Sequence, residues 1–142
     1  NMDATVIRTE DFNAAHRLWV KSWSNEKNEE VFGKCNNPYY HGHNYKIKVC
    51  VTGAIDEVTG YVMDMKVLKQ IIKDEVIEPC DHKNLNEQVE DFFTLNPTAE
   101  NIAVVIWQKL RKYIDANKNE LGLSFYLFAH LTNLMQRHNG AA

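Results

Sequence analysis

Two histidines and one cysteine stand close together in the segment GKCNNPYYHGHN, residues 33–44. His41 and His43 are two positions apart, so on an extended strand both rings face the same side, while Gly42 lets the backbone pass close by. An imidazole from His16, on a neighbouring strand, would complete a three-histidine set with an open fourth position, which is typical of catalytic zinc. The residues alone leave a second interpretation open, in which these are exposed histidines at a polar strand end.

Cys35 precedes His41 by six residues and is a candidate proton acceptor. A thiolate beside a bound dication has a lowered pKa, and the adjacent Lys34 would act in the same direction. Cys35 could then remove a proton from a carbon acid. The alternative is a small buried hydrophobic residue, which is the role that we expect for Cys50 and Cys80.

The triplet CDH, residues 80–82, is a second group that could do chemistry. It places Asp81 beside His82 after the predicted end of a helix, where a carboxylate can hold an imidazole in one orientation. A solvated pair in a loop is the alternative. His130 and His138 have no patterned neighbours, and we expect both to be ordinary histidines.

Two predicted strands position the histidines. The segment ATVIRTEDFNAAHRL, residues 4–18, predicts a long first strand that puts His16 on the same face as Phe12 and Ala14. The segment YKIKVCVTG, residues 45–53, predicts a second strand with two lysines on its solvent-exposed face. Its buried face is expected to carry Tyr45, Ile47, Val49 and Val51.

Two helices and a last strand complete the predicted fold. The first helix is capped by Asp64 and ends at Pro79, with an apolar stripe at Leu68, Ile71, Ile72 and Val76. The second helix begins near Thr98. Its inward face is expected to carry Ile102, Val105, Ile106, Leu110 and Tyr113. A final strand is predicted at LSFYLFAHL, residues 123–131. This order predicts an α+β fold, an antiparallel sheet with two helices on one face.

The composition narrows the class of protein. A chain of 142 residues with 44% hydrophobic content fits a single domain spanning residues 1–142. The net charge of −3 without runs of like charge disfavours nucleic acid and membrane surfaces as partners, so a small molecule is expected. No apolar stretch resembles a membrane span or a signal peptide, and an odd number of cysteines argues against a disulfide framework, which together predict a cytoplasmic protein.

Five ordered motifs resemble the 6-pyruvoyl-tetrahydropterin synthase family over roughly residues 7–114: FNAAHRL, FGKCNNPYYHGHNYK, TGYVMDMKVLK, CDHKNLN and NPTAENIAVVIW. The resemblance implies a tunnel fold (T-fold) with a four-stranded antiparallel sheet and two helices on its outer side. It also implies homo-oligomers, trimers that stack into hexamers. The implied reaction converts 7,8-dihydroneopterin triphosphate to 6-pyruvoyl-tetrahydropterin with loss of triphosphate and needs zinc but no external redox cofactor.

The resemblance also assigns roles to particular residues. The implied zinc ligands are His16, His41 and His43, and the implied proton-abstracting base is Cys35, assisted by Asp81 and His82. Thr98 and Glu100 match family positions near the pterin at a subunit interface. For Thr98, capping of the helix is an adequate alternative explanation.

Two other functions stay open within this family. The 6-carboxy-tetrahydropterin synthase branch, of queuosine biosynthesis, has the same ligands but typically a shorter spacing between the cysteine and the HxH motif, so the CNNP loop favours the pyruvoyl type. The family carries a pterin-clamping glutamate near its C-terminus, yet no Asp or Glu follows Glu120 here. From about residue 121 the chain is therefore expected to be atypical, and a catalytically weak zinc-binding relative is the third hypothesis.

Overall fold

The computed structural model describes residues 2–121 and 126–133, which form an α+β fold. Its strands are β1 (Asp3–His16), β2 (His41–Ala54), β3 (Lys83–Asn84) and β4 (Tyr126–Asn133). Its helices are α1 (Asn25–Phe32), α2 (Met65–Ile72), α3 (Glu78–Cys80), α4 (Leu85–Gln88) and α5 (Ala99–Leu121). Short 3-10 segments at Gly33–Asn36 and Glu90–Phe92 and a π-helical segment at Lys73–Ile77 complete the list.

The sheet has the strand order β3-β1-β2-β4. β1 and β2 pair antiparallel over their whole length, from Asp3 opposite Ala54 to His16 opposite His41, and β4 pairs antiparallel with β2. β3 adds only two residues, parallel to β1. The predicted sheet of four antiparallel strands is therefore only partly right, since the described residues form three long antiparallel strands and one short parallel strand.

One face of the sheet carries the core. Exposure alternates along β1 and β2, and the predicted inward residues of β2 are all buried. Phe12 of β1 stacks on Tyr45 of β2 with ring centroids 5.0 Å apart, and Ala14 and His16 continue the same buried face. The helices α2 and α5 cover this face, so the predicted placement of two helices on one side is confirmed.

The first predicted helix is confirmed at its start but not at its end. Asp64 caps α2 by accepting a hydrogen bond of 2.8 Å from the backbone N–H of Lys66. The helical path continues past Pro79 to Cys80, because the preceding π-helical segment changes the hydrogen-bond spacing and Glu78 keeps helical dihedrals. The helical path therefore ends one residue later than predicted, at Cys80 rather than at Pro79.

The C-terminal elements differ from prediction in detail. Thr98 caps α5 as predicted, since its side chain accepts a hydrogen bond of 3.2 Å from the backbone N–H of Asn101. Tyr113 is 43% exposed, and Ile114 is buried in the inward position that we assigned to Tyr113. The structure describes β4 over Tyr126–Asn133, and residues 123–125 of the predicted strand lie outside the described residues. His130 lies in β4, whereas His138 lies outside the described residues.

The sequence patterns did not reveal α1, whose eight residues are mostly polar and charged. Ser24 caps it through a hydrogen bond of 3.1 Å from the backbone N–H of Lys27. Within the described ranges, no helix has the length and apolar character that crossing a membrane requires.

The packing of α2 against the sheet predicts that truncation costs much more stability at one of two adjacent aliphatic residues than at the other. Leu68 is fully buried, whereas Val67 is 41% exposed. We expect Leu68→Ala to lower the free energy of unfolding by about 2–5 kcal/mol, because it leaves a cavity in the core. The control Val67→Ala should cost less than about 1 kcal/mol. Urea denaturation followed by circular dichroism would measure both, and equal losses would contradict the packing described here.

Candidate active site

The structure brings His16, His41 and His43 together at one end of the β1–β2 pair. The ring centroids lie 4.6 Å apart for His16 and His41, 4.9 Å for His16 and His43, and 4.7 Å for His41 and His43. One ring nitrogen of each lies within 4.8 Å of the others. The antiparallel register causes this meeting, since it sets His16 directly opposite His41 and places all three rings on the buried face.

A backbone carbonyl fixes the ring of His16. Its Nδ1 lies 2.8 Å from the carbonyl oxygen of Pro97, which can only accept a hydrogen bond. Nδ1 therefore carries the proton, and Nε2 keeps a free lone pair. A backbone carbonyl behind a metal-binding histidine commonly fixes its ring in this way.

His41 and His43 have polar atoms that the protein leaves unsatisfied. In the described part of the chain, the buried side-chain nitrogen and oxygen atoms without a hydrogen-bond partner are Nδ1 and Nε2 of His41 and Nδ1 of His43. Leaving buried polar groups unpaired costs about 1–3 kcal/mol each, so their clustering needs an explanation. A metal ion bound by the three imidazoles fits this set, because neutral imidazoles are ligands that zinc prefers.

The electrostatics keep the three rings neutral. Burial lowers the pKa of His16 to about 4, and the neighbouring rings of His41 and His43 act in the same direction, against the hydrogen bond to Pro97. Burial also lowers the pKa of His41, and burial together with the charge of His41 lowers that of His43. A neutral imidazole can donate its lone pair to a metal, so the site is ready for a ligand role at neutral pH.

Tyr45 forms the inner wall of the histidine cluster. It is buried, its ring centroid lies 6.1 Å from that of His16 and 5.8 Å from that of His43, and its hydroxyl lies 3.4 Å from Nδ1 of His16. Burial raises the pKa of Tyr45, and the nearby thiols of Cys35 and Cys80 add to this rise. The phenol therefore stays neutral, and Cys35 lies in the same neighbourhood.

Cys35 lies in the 3-10 segment Gly33–Asn36, which links α1 to the loop before His41. The cysteine is half-buried and forms no disulfide. Its carbonyl oxygen accepts a hydrogen bond of 2.8 Å from the backbone N–H of Leu18, two residues after His16. The turn that carries the thiol is thus attached to the chain directly beyond the first histidine.

Asp81 and His82 form the pair that the sequence predicted. His82 Nδ1 lies 2.9 Å from Oδ2 of Asp81, and Oδ1 of Asp81 accepts a hydrogen bond of 2.9 Å from the backbone N–H of Asn13. The side chain of His82 is 78% exposed, and His82 has a positive φ of 59°. These contacts hold the imidazole at the edge of β1, and its Nε2 has no hydrogen-bond partner among the described residues.

The Asp–His pair and the histidine cluster share no hydrogen bond among the described residues. A cavity of about 470 Å³ is lined by residues that include His43, Gly42 and His82. Among the described residues, Asp81 and His82 make their hydrogen bonds to each other, to Asn13 and, from the N–H of Asp81, to the carbonyl oxygen of Ile77, and none of these bonds reaches Cys35.

The two predicted pterin-contacting residues lie at the start of α5. Thr98 is half-buried and its side chain caps the helix, while Glu100 is exposed in the first turn. An acidic side chain there is also favourable to the helix dipole. Sequence reasoning missed Pro97, which precedes Thr98 and whose carbonyl holds His16, because a backbone carbonyl leaves no residue-type signal.

Known proteins resemble this chain over most of its length. The family model for 6-pyruvoyl tetrahydropterin synthase matches residues 5–125. The 6-pyruvoyl tetrahydrobiopterin synthase of Poecilia reticulata is 48% identical over 112 residues, which cover 79% of this chain and 76% of the relative. That of Homo sapiens is 48% identical over 111 residues, covering 78% and 77%.

A solved structure gives the same result for the fold. The Caenorhabditis elegans 6-pyruvoyl tetrahydropterin synthase superimposes with a TM-score of 0.75 at 41% sequence identity, covering 78% of this chain and 79% of that chain. Identity at this level over most of both chains exceeds what a shared fold alone would give. The chain belongs to the 6-pyruvoyl tetrahydropterin synthase family.

Proposed function

We propose that the chain is a 6-pyruvoyl-tetrahydropterin synthase, a lyase that converts 7,8-dihydroneopterin triphosphate to 6-pyruvoyl-tetrahydropterin with elimination of triphosphate. The observation that carries the proposal is the cluster of three neutral, partly unsatisfied imidazoles beside the turn that bears Cys35, in a chain of this family. The relatives at 48% identity carry the name of this activity.

The proposed metal is one Zn²⁺ per subunit, held by His16, His41 and His43. The support is the donor set: three imidazoles with free lone pairs, and no thiolate among them to close the site. When bound, zinc would supply Lewis acid chemistry at an oxygen of the substrate side chain.

The protein's own groups would move the protons. Cys35, as a thiolate, would accept the carbon-bound proton of the substrate side chain. Asp81 holds the Nδ1 side of His82, so the free Nε2 can exchange a proton at the cavity that His43 also lines. The carboxylate thereby fixes the orientation and tautomer of His82 rather than taking part in the proton transfer itself.

Substrate recognition is proposed at the start of α5, where Thr98 and Glu100 would contact the pterin across a subunit interface. Glu100 is exposed, so it can reach a group that lies outside its own subunit. The proposed assembly is a trimer or a dimer of trimers. The proposed location is the cytoplasm, where three free cysteines would stay reduced.

One feature of the sequence favours a second candidate, a catalytically weak zinc-binding relative. Residues 121–142 contain no Asp or Glu, so this stretch offers no carboxylate for the implied pterin clamp. Loss of a charged hydrogen-bond acceptor costs about 1.5–3 kcal/mol of binding. A catalytically weak relative would bind zinc without turnover. A member of the 6-carboxy-tetrahydropterin synthase branch would instead form a different product from the same substrate.

The function is tested by turnover of the purified chain and of Cys35→Ala. With 7,8-dihydroneopterin triphosphate and zinc, the parent chain should release triphosphate and form 6-pyruvoyl-tetrahydropterin, identified by mass spectrometry. Cys35→Ala should keep its zinc but lose about 10²- to 10⁴-fold in rate, the usual contribution of a general base. Cys50→Ala is the matched control and should keep full activity. No product from the parent chain would refute the proposal, and loss of zinc from Cys35→Ala would make that cysteine a ligand.

The ligand set predicts the metal content of single variants. We expect His41→Ala to lose most of its bound zinc, because two imidazoles from a protein rarely hold the ion against buffer. His82→Ala should retain one zinc per subunit, since His82 lies outside the cluster. Plasma emission spectrometry of dialysed protein measures both, and full occupancy in His41→Ala would show that the ligand set is wrong.

The lowered pKa values predict how many protons zinc displaces. Three ordinary imidazoles with a pKa of 6.5 would release about 2.7 protons at pH 5.5, because each must be neutral to bind. His16, with a pKa of about 4, is already neutral at that pH, so we expect the release of fewer than about two protons. Calorimetric zinc titrations in two buffers of different ionisation enthalpy give this number. A release near the ordinary value would contradict the burial-driven shift of His16.

A further inference from the structure

We propose that Arg17 is a positioning residue that holds the turn carrying Cys35 against the strand that carries His16. The catalytic part of this inference rests on the proposed function, whereas the structural part does not. Arg17 is part of the motif FNAAHRL, but the family resemblance assigns a role only to His16 within that motif.

The guanidinium of Arg17 binds the residue next to Cys35 through two hydrogen bonds. Nε donates to the backbone carbonyl oxygen of Asn36 over 2.8 Å, and Nη2 donates to its side-chain Oδ1 over 3.2 Å. The backbone N–H of Leu18 donates to the carbonyl oxygen of Cys35 over 2.8 Å. Arg17 and Leu18, the two residues after His16, thus form hydrogen bonds to Asn36 and Cys35, two consecutive residues of the turn.

Arg17 is itself held firmly on its other side. The side chain of Asn86 pairs with both backbone groups of Arg17, accepting from its N–H and donating to its carbonyl oxygen, each over 2.9 Å. The guanidinium carbon lies 4.1 Å from the ring centroid of Trp19, within the range of a cation–π contact. Arg17 can therefore fix the position of the turn relative to β1.

The turn needs such an external anchor because it holds few bonds of its own. It is a four-residue 3-10 segment without a side-chain cap, and the N–H of Asn37 closes it through the carbonyl oxygen of Lys34. Arg17 gives its donors to a neutral carbonyl and an amide rather than to a carboxylate, so charge neutralisation does not explain the contact. The planar fork of the guanidinium suits two acceptors on one residue, which a lysine cannot match.

The test compares Arg17→Gln and Arg17→Lys with Arg111→Gln. Arg111 is a matched control, because its guanidinium also lies over a tryptophan, Trp107, at 4.8 Å from the ring centroid, and pairs with Asp115 on the surface of α5. The first readout is the rate at which iodoacetamide alkylates each cysteine, followed by peptide mass spectrometry. Cys50 and Cys80 are the internal references within the same molecule.

We expect Arg17→Gln to raise the alkylation rate of Cys35 about tenfold, since loss of bonds from a charged donor opens the turn locally by at least that factor. The rates of Cys50 and Cys80 should not change. The alkylation rate of Cys35 in Arg17→Lys should lie between the rates in Arg17→Gln and in the parent chain, because lysine keeps the charge but not the two-pronged contact. Arg111→Gln should leave all three cysteines as they are.

The second readout is turnover. We expect kcat to fall about 10- to 100-fold in Arg17→Gln, because a small misplacement of a reacting group has an effect of this size, while KM and zinc content stay close to those of the parent chain. Asn36→Ala, which removes only the longer of the two bonds, should cause a smaller loss. Combined with Arg17→Gln it should add little, because both changes break the same contact.

The outcomes separate this inference from the function on which it rests. An unchanged alkylation rate of Cys35 in both Arg17 variants would overturn the positioning role, and a parallel rise for buried Cys80 would overturn it in favour of general loosening. A parent chain without turnover would refute the proposed function, and the alkylation rates would still decide the role of Arg17.

Discussion

The antiparallel pairing of β1 with β2 is the constraint on which the site depends. Its register places His16 opposite His41, and the two-residue period of a strand puts His43 on the same face. A shift of one residue would turn His41 and His43 to the other face and would expose the apolar side chains that follow them on the buried face of β2, beginning with Tyr45. The core below therefore protects the geometry of the site, because Phe12 and Tyr45 can stack only in this register.

The cluster itself does not favour folding. Three imidazoles are withdrawn from water, and some of their nitrogens gain no partner in return. Backbone strain lies close by, since Tyr40, which precedes His41, has a positive φ of 66° and His82 one of 59°. Such features persist where the surrounding structure holds them, and here the sheet and its helices do so. Binding of a metal to the folded state would recover part of this cost.

Periodicity predicted the parts of the fold that are set by local burial. The inward faces of β1 and β2 and the cap at Asp64 follow from residue types a few positions apart. The errors arose where neighbours distant in sequence decide the outcome. A π-helical segment lets the helix pass Pro79, and β3 exists only because the chain after α3 returns to the edge of β1, where the N–H of His82 donates to the carbonyl of Asn13.

The sequence by itself determined which side chains are available for chemistry: the HxH pair, the third histidine, the thiol and the Asp–His pair, in an order shared with one family. Only the tertiary structure decided how they are held. The carbonyl of Pro97 selects the tautomer of His16, and Arg17 and Leu18 attach the turn of Cys35 to β1. These contacts join residues far apart in the chain, and several use backbone atoms, which every residue carries. A sequence pattern records side-chain types only, so it does not reveal these long-range contacts.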